Sequence, residues 1–183
     1  MTDNVRYDQN VKNILANKSI LAWILKYTTS EFCDYDIRTI VDCIDEPQIS
    51  EVSIYPGETN VIRTERIEGL PTEDTVQNEG SVRYDIRFAA YTKDDERIKL
   101  IINVDAQKSF YPGYDLVTRV IYYCARMLSS QMNVEFEADN YDNVKKVYSI
   151  FLCLESSAES QNSITSYEIS PHILQGNLPD KHR

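Results

Sequence analysis

The sequence is short of the residues that several enzyme classes need. It has two histidines, His172 and His182, both near the C-terminus, so Ser-His-Asp or Cys-His chemistry is not expected. Its five glycines form no phosphate-loop pattern, so no motif is available to hold a nucleotide. The four cysteines are widely spaced without a CxxC pair, which argues against a zinc site or a thioredoxin-like redox motif. We expect buried, reduced thiols.

Long apolar runs are also missing. No stretch approaches the roughly 20 apolar residues that a membrane-spanning helix requires. Residues 1–10, MTDNVRYDQN, lack the basic and then apolar stretches of a signal peptide. The default expectation is a cytoplasmic protein without a membrane partner.

Positive charge is scarce. Lys and Arg number 19 against 29 Asp and Glu, which gives a net charge of −10. An acidic total opposes non-specific binding to nucleic acid. Nucleic-acid-binding proteins need local basic patches rather than a basic total, however, so this class is not excluded.

What is present predicts one globular domain over residues 1–183. Hydrophobic residues make up 42% of the chain and charged residues 26%, which is ordinary for a protein with a real core. Helical spacing of apolar residues predicts three helices, the second with Asp36 as its N-cap: 11–33, 36–45 and 115–131. Strand-like runs occur at 51–55, 82–91, 97–106, 145–155 and 162–169.

These elements predict an α+β (α/β) domain with a mixed central sheet flanked by helices. The runs at 82–91 and 97–106 are separated by a short polar turn and read as a long hairpin. The strand at 145–155 is almost unbrokenly apolar, which favours the interior of the sheet, and 162–169 is an optional edge strand. We interpret 46–79 as irregular structure that contains the strand at 51–55.

The hairpin carries two acids that can meet. Side chains alternate along a strand, so Asp105 and Gln107 share one face, whereas Lys108 points to the other unless a bulge turns it. Neighbouring strands lie about 4.8 Å apart. Asp85 in the first strand can therefore converge with Asp105, provided that the hairpin register sets them opposite each other.

Two explanations of this pair remain open. Like charges 4 Å apart repel by about 4 kcal/mol at an effective dielectric of 20, and a Mg²⁺ or Mn²⁺ ion would offset that cost. Such an ion can polarise a phosphate and generate hydroxide from bound water, with Gln107 positioning the water or the phosphate. Alternatively, Arg83 and Arg87 neutralise Asp85 in an ordinary salt-bridge ladder, and Asp105 only marks the end of its strand.

Residues 81–131 and 141–153, with the helical segment 16–32, resemble the PD-(D/E)XK nuclease family transposases, relatives of the recombination-promoting nucleases. The similarity spans roughly residues 14–175. Its most specific part is an Asp, then Asp-x-Gln about 20 residues later, followed by Tyr-Pro-Gly-Tyr and an Arg- and Tyr-rich helix.

The resemblance implies a restriction-endonuclease-like core and Mg²⁺-dependent cleavage of DNA phosphodiester bonds, linked to transposition or recombination. Asp85 matches the first metal-binding acid, and Asp105 matches the acid of the (D/E)XK element. Gln107 stands where that element usually has lysine, and Lys108 is a substitute only if it turns to the same face. Glu31 matches the acid that many of these nucleases supply from the first helix.

The proposed partner is DNA. Arg119 and Arg126 lie seven residues apart on the helix at 115–131 and therefore share a face. That face is either a phosphate-contacting stripe beside the metal or an ordinary solvated surface.

Two other functions fit the sequence. Gln107 and the acidic net charge are compatible with a nuclease fold that has lost catalysis and acts as a binding or regulatory module. A protein-interaction module whose acidic surface excludes DNA is a third reading. Members of the resembled family usually continue beyond the final LPDKHR, so a C-terminally shortened chain is expected. Homo-oligomerisation is left open.

Overall fold

The computed structural model describes residues 10–45, 47–49, 73–76, 80–93, 98–137 and 139–177. Its helices are α1 (residues 10–15), α2 (Lys18–Thr28), α3 (Ile37–Cys43) and α4 (Leu116–Ser129). Its strands are β1 (Gln48–Ile49), β2 (Glu73–Val76), β3 (Gly80–Arg83), β4 (Ile86–Tyr91), β5 (Lys99–Ser109) and β6 (Lys146–Glu155). The general α+β class predicted from the sequence is confirmed.

Within the described part of the chain, the main sheet has four strands in the order β1-β4-β5-β6. Strand β4 runs antiparallel to β1 and β5, whereas β6 runs parallel to β5. Helix α4 lies between β5 and β6 in the chain and makes the crossover that a parallel pair requires. Strands β2 and β3 form a separate antiparallel pair. The sheet is therefore mixed, with the long strand β5 inside it.

Helices cover both faces of the sheet. On one face α2 and α3 pack against alternate residues of β4 and β5 in a cluster that includes Leu21, Leu25, Ile40, Phe88, Ile102 and Val104. On the other face Tyr123 and Met127 of α4 pack against Tyr84 and Ile101. Because side chains alternate along β5, Asn103, Asp105 and Gln107 lie on the α4 face with Ile101.

The helix starts follow local capping chemistry. Asp36 accepts hydrogen bonds from the backbone N–H groups of Arg38 and Thr39, as the sequence predicted. The predicted single helix at 11–33 is instead two helices that end earlier. Asn17 has extended backbone angles, and its side chain accepts a hydrogen bond from the N–H of Ser19, so it ends α1 and caps α2.

Three strand predictions change. Among the described strands, β6 lies at the edge of the sheet and not in its interior. Its run of apolar residues is explained by packing against the clusters on both faces of the sheet. Residues 162–169 contain no strand and are exposed. The run at 82–91 is interrupted before Ile86, where β3 ends its pairing with β2 and β4 begins. The strand predicted at 51–55 lies outside the described residues.

The predictions of buried cysteines and of no membrane-spanning helix concern the whole chain. No disulfide bond links the four cysteines, but only Cys43 is buried, and Cys33 is exposed. Among the described residues, no helix combines the length and apolar character needed to cross a membrane.

Candidate functional site

The site lies where the β4–β5 ladder ends, on the face that α4 covers. The ladder pairs Ile86 with Val104, so the next position aligns Asp85 with Asp105. The N–H of Ala106 donates to Oδ2 of Asp85 over 3.2 Å, which ties Asp85 to β5 beyond the last ladder pair. The structure thus brings the two acids of the hairpin together.

Asp105 is the most deeply buried acid of the site, with 0% of its surface exposed. Its Oδ2 accepts a hydrogen bond from Nδ2 of Asn103. Its Oδ1 accepts no hydrogen bond from any described residue, and Nη2 of Arg119 lies 3.9 Å away. Burial and then the charge of Asp85 raise the pKa of Asp105 to about 7, against the opposing effects of Asn103, Arg119 and the backbone N–H of Asp85. A buried carboxylate oxygen that accepts no hydrogen bond is uncommon and marks a functional candidate.

Asp85 is neutralised by a residue that sequence reasoning missed. Nζ of Lys12, in α1, lies 2.9 Å from Oδ1 of Asp85, and only 7% of Lys12 is exposed. Arg87, one of the two arginines of the proposed salt-bridge ladder, instead donates to Oγ of Ser130 over 3.2 Å. The side chain of Arg83 lies outside the described residues. A lone lysine in an N-terminal helix gave no sequence signal for this contact.

Arg119 is held in place by two tyrosines. Its Nη1 donates to the hydroxyl of Tyr114 over 2.8 Å, and its Nη2 donates to the hydroxyl of Tyr123 over 2.7 Å. The guanidinium also lies over the ring of Phe151, and 27% of the side chain is exposed. Arg119 therefore presents a fixed, partly accessible cation beside Asp105.

Arg126 does not form an exposed basic stripe with Arg119. It shares a helix face with Arg119, but that face packs on the sheet, and Arg126 is only 3% exposed. Burial therefore excludes a solvated surface for Arg126, and its contact with a phosphate stays a prediction. The spacing established that the two arginines share a face but not which way that face points.

Gln107 and Lys108 follow Asp105 on opposite faces. Gln107 is partly buried and pairs in register with Cys153 of β6. The β5–β6 register is constant from Leu100 to Ser109, so no bulge turns Lys108. The Lys108 side chain is 81% exposed and lies 3.8 Å from Glu155. Lys108 does not reach the Asp105 face.

Glu31 is on the other side of the sheet. The hydroxyl of Tyr148 and Nζ of Lys146 each lie 2.7 Å from a carboxylate oxygen of Glu31. Tyr148 packs against the cluster formed by α2 and α3, which is separated from Asp105 by the sheet. The structure therefore does not bring Glu31 to the two acids. Glu31 instead links the segment after α2 to β6 through its contacts with Lys146 and Tyr148.

We expect Glu31→Gln to lower the free energy of unfolding without changing metal binding. Loss of the charged acceptor for Lys146 and Tyr148 should cost about 1–3 kcal/mol. Denaturant unfolding measures the first effect, and calorimetric titration with Mn²⁺ measures the second. A large loss of metal affinity in Glu31→Gln would contradict the separation of Glu31 from the site.

The donor set fits a small hard cation. Among the described residues no group of three His, Cys, Asp or Glu side chains converges, so Asp85 and Asp105 are the carboxylates available here. Mg²⁺ is commonly bound through one or two carboxylates and keeps several waters, which substrate phosphate oxygens can replace. Oδ1 of Asp105, which accepts no hydrogen bond from the described residues, supplies the kind of oxygen that such an ion prefers.

Comparisons of the chain with models of known protein families, with curated proteins and with solved structures each found no match. A functional assignment must therefore depend on the motif and on the geometry of the site.

Proposed function

We propose that the chain is a metal-dependent DNA endonuclease of the PD-(D/E)XK superfamily, with a restriction-endonuclease-like core and a link to transposition or recombination. The observation that carries the proposal is the fully buried Oδ1 of Asp105, which accepts no hydrogen bond from the described residues, beside a second carboxylate, Asp85. Such a pair has little value for stability, because buried like charges repel. It is useful where a divalent cation must be held.

The order of the elements around the two acids supports the restriction-endonuclease-like core. The two acids lie on an antiparallel hairpin, and α4 connects that hairpin to a parallel strand. The family resemblance implies this order of elements around its metal-binding acids. We also propose a cytoplasmic location, which agrees with four cysteines that form no disulfide bond, since reduced thiols are usual there.

A Mg²⁺ or Mn²⁺ ion held by Asp85 and Asp105 would polarise the scissile phosphate and lower the pKa of the attacking water. Arg119 is oriented by Tyr114 and Tyr123, so its planar donors can bind a phosphate oxygen without first being ordered. Gln107 can donate to that phosphate or accept from the water, but it contributes no charge.

The first test is nicking of supercoiled plasmid DNA with Mg²⁺ or Mn²⁺. We expect the unmodified protein to nick the plasmid and Asp85→Asn to lose at least about 100-fold in rate, because one of two metal ligands is weakened. Asp139→Asn, which changes an exposed carboxylate in the loop after α4, is the matched control and should keep the rate. Absence of cleavage by the unmodified protein with either metal, at low and moderate salt, would contradict the proposal.

One observation favours a second function, a catalytically inactive nuclease fold used for binding or regulation. Lys12 and Arg119 already provide a positive charge to each acid, and Gln107 stands at the usual lysine position. In that case calorimetry would find no divalent-cation binding, and Asp105→Asn would bind DNA as the unmodified protein does.

A further inference from the structure

We propose that Lys12 supplies the positive charge that the (D/E)XK element lacks at Gln107, and that it contacts the attacking water or the phosphate during cleavage. This inference rests on the proposed nuclease function. It gives a catalytic role to a residue that lies far from the hairpin motif in the sequence, in helix α1.

The position of Lys12 is the first support. Its ammonium lies 2.9 Å from Oδ1 of Asp85, at the carboxylate that also accepts the N–H of Ala106. Both side chains of the ion pair are largely shielded from water. Removing an ammonium group from water costs free energy, which an exposed lysine would not lose. The burial of Lys12 beside Asp85 is therefore unusual for a lysine that has only a structural role.

The other cations near the acids are the second support. Arg119 faces Asp105 and not Asp85, and the hydroxyls of Tyr114 and Tyr123 orient it for the phosphate-binding role proposed above. Arg87 is directed toward Ser130, and Lys108 is on the opposite face of β5. Among the described residues, Lys12 is the lysine whose ammonium contacts an acid of the site.

The chemistry of lysine is the third support. The ammonium is a compact charge with three donors on a flexible stem, so it can leave one carboxylate oxygen and reach a phosphate or water nearby. A cation bound at Asp85 would replace the charge that Lys12 now supplies to Oδ1. The ammonium would then be available beside the reacting group.

A simpler role is that Lys12 only neutralises Asp85. The two roles predict different results when the charge is removed. A neutralising lysine competes with the metal for Asp85, so its removal would strengthen metal binding and leave turnover equal or faster. A lysine that contacts the reacting group also competes for Asp85, but its removal would lower turnover despite equal or stronger metal binding.

The experiment compares Lys12→Met and Lys12→Arg with Lys93→Met, a control that removes an exposed lysine paired with Asp42 on the surface. Cleavage is measured as kcat and KM at saturating Mn²⁺, metal affinity by calorimetry, and folding by metal-free thermal unfolding. We expect kcat to fall about 100-fold in Lys12→Met with Mn²⁺ affinity equal or higher. Lys12→Arg should stay within about tenfold of the unmodified protein, since it retains the charge.

Turnover in Lys12→Met within about threefold of the unmodified protein would overturn the inference and leave the nuclease proposal standing. An inactive unmodified protein would overturn both, and the two failures are therefore distinguishable. If Lys12→Met does not unfold cooperatively, Lys12→Gln is scored in its place. Loss of cooperative unfolding in both variants would assign Lys12 to stability and overturn its catalytic role.

Discussion

Asp105→Asn should abolish metal-dependent cleavage and at the same time stabilise the metal-free protein. Cleavage is lost because the buried carboxylate that faces the cation becomes a neutral amide, for which we expect a fall of at least about 1,000-fold. Stability rises because the charged Asp105 is buried beside Asp85 and one of its oxygens has no hydrogen-bond donor. Function and stability therefore make opposite demands on this residue.

The size of the stability gain follows from the pKa of Asp105. The difference between its ordinary value of 3.8 and about 7 corresponds to about 4 kcal/mol. The new amide nitrogen faces Arg119 and finds no acceptor there, so we expect a gain of about 1–4 kcal/mol at pH 8. Denaturant unfolding in the presence of a chelator measures it, with Asp139→Asn as the neutral control. A less stable Asp105→Asn protein, or one that still cleaves, would contradict the role assigned to Asp105.

The metal-free protein should also lose stability as the pH rises from about 4 to about 7. Across that window folded Asp105 keeps a proton that the unfolded chain has already released, so the folded state binds more protons. Stability then falls with rising pH, by up to about 4 kcal/mol in total, and becomes constant above about pH 7. The raised pKa makes the neutral form, and not the charged one, the stabilising form.

Other acids make the protein more stable as the pH rises, so their contributions must be separated from that of Asp105. The pKa values of Glu31 and Asp36 are lowered in the folded protein, so their contributions are lost as the pH falls through and below about 4. The difference between the unmodified protein and Asp105→Asn isolates the contribution of Asp105. If the free energy of unfolding changes with pH in the same way in both proteins between pH 4 and pH 8, the pKa of Asp105 is not raised.

The part of the fold that follows from local rules was predictable. The Asp36 cap, helix α4 and the β4–β5 hairpin each depend on residues close together in the chain. The edge position of β6 was not predictable, because an apolar strand can be covered on both faces without having two neighbours. The division of the first helix depended on Asn17, whose capping role competes with its place in a helical pattern.

The same distinction applies to the site. The approach of Asp85 and Asp105 follows from strand alternation and hairpin register, both of which can be counted along the sequence. Lys12 reaches Asp85 only through the packing of α1, a long-range contact without a sequence pattern. The burial of Arg126 could not be predicted, because a seven-residue spacing does not tell which face of α4 packs against the sheet.

The most direct measurement is anomalous diffraction from crystals of the protein soaked in Mn²⁺. A divalent cation held by two acids of adjacent β-segments should give a peak within coordination distance of both the Asp85 and Asp105 carboxylates, with the Lys12 ammonium displaced from Oδ1 of Asp85. No peak at that position under saturating Mn²⁺, with Lys12 still paired to Asp85, would contradict the metal site and the nuclease function built on it.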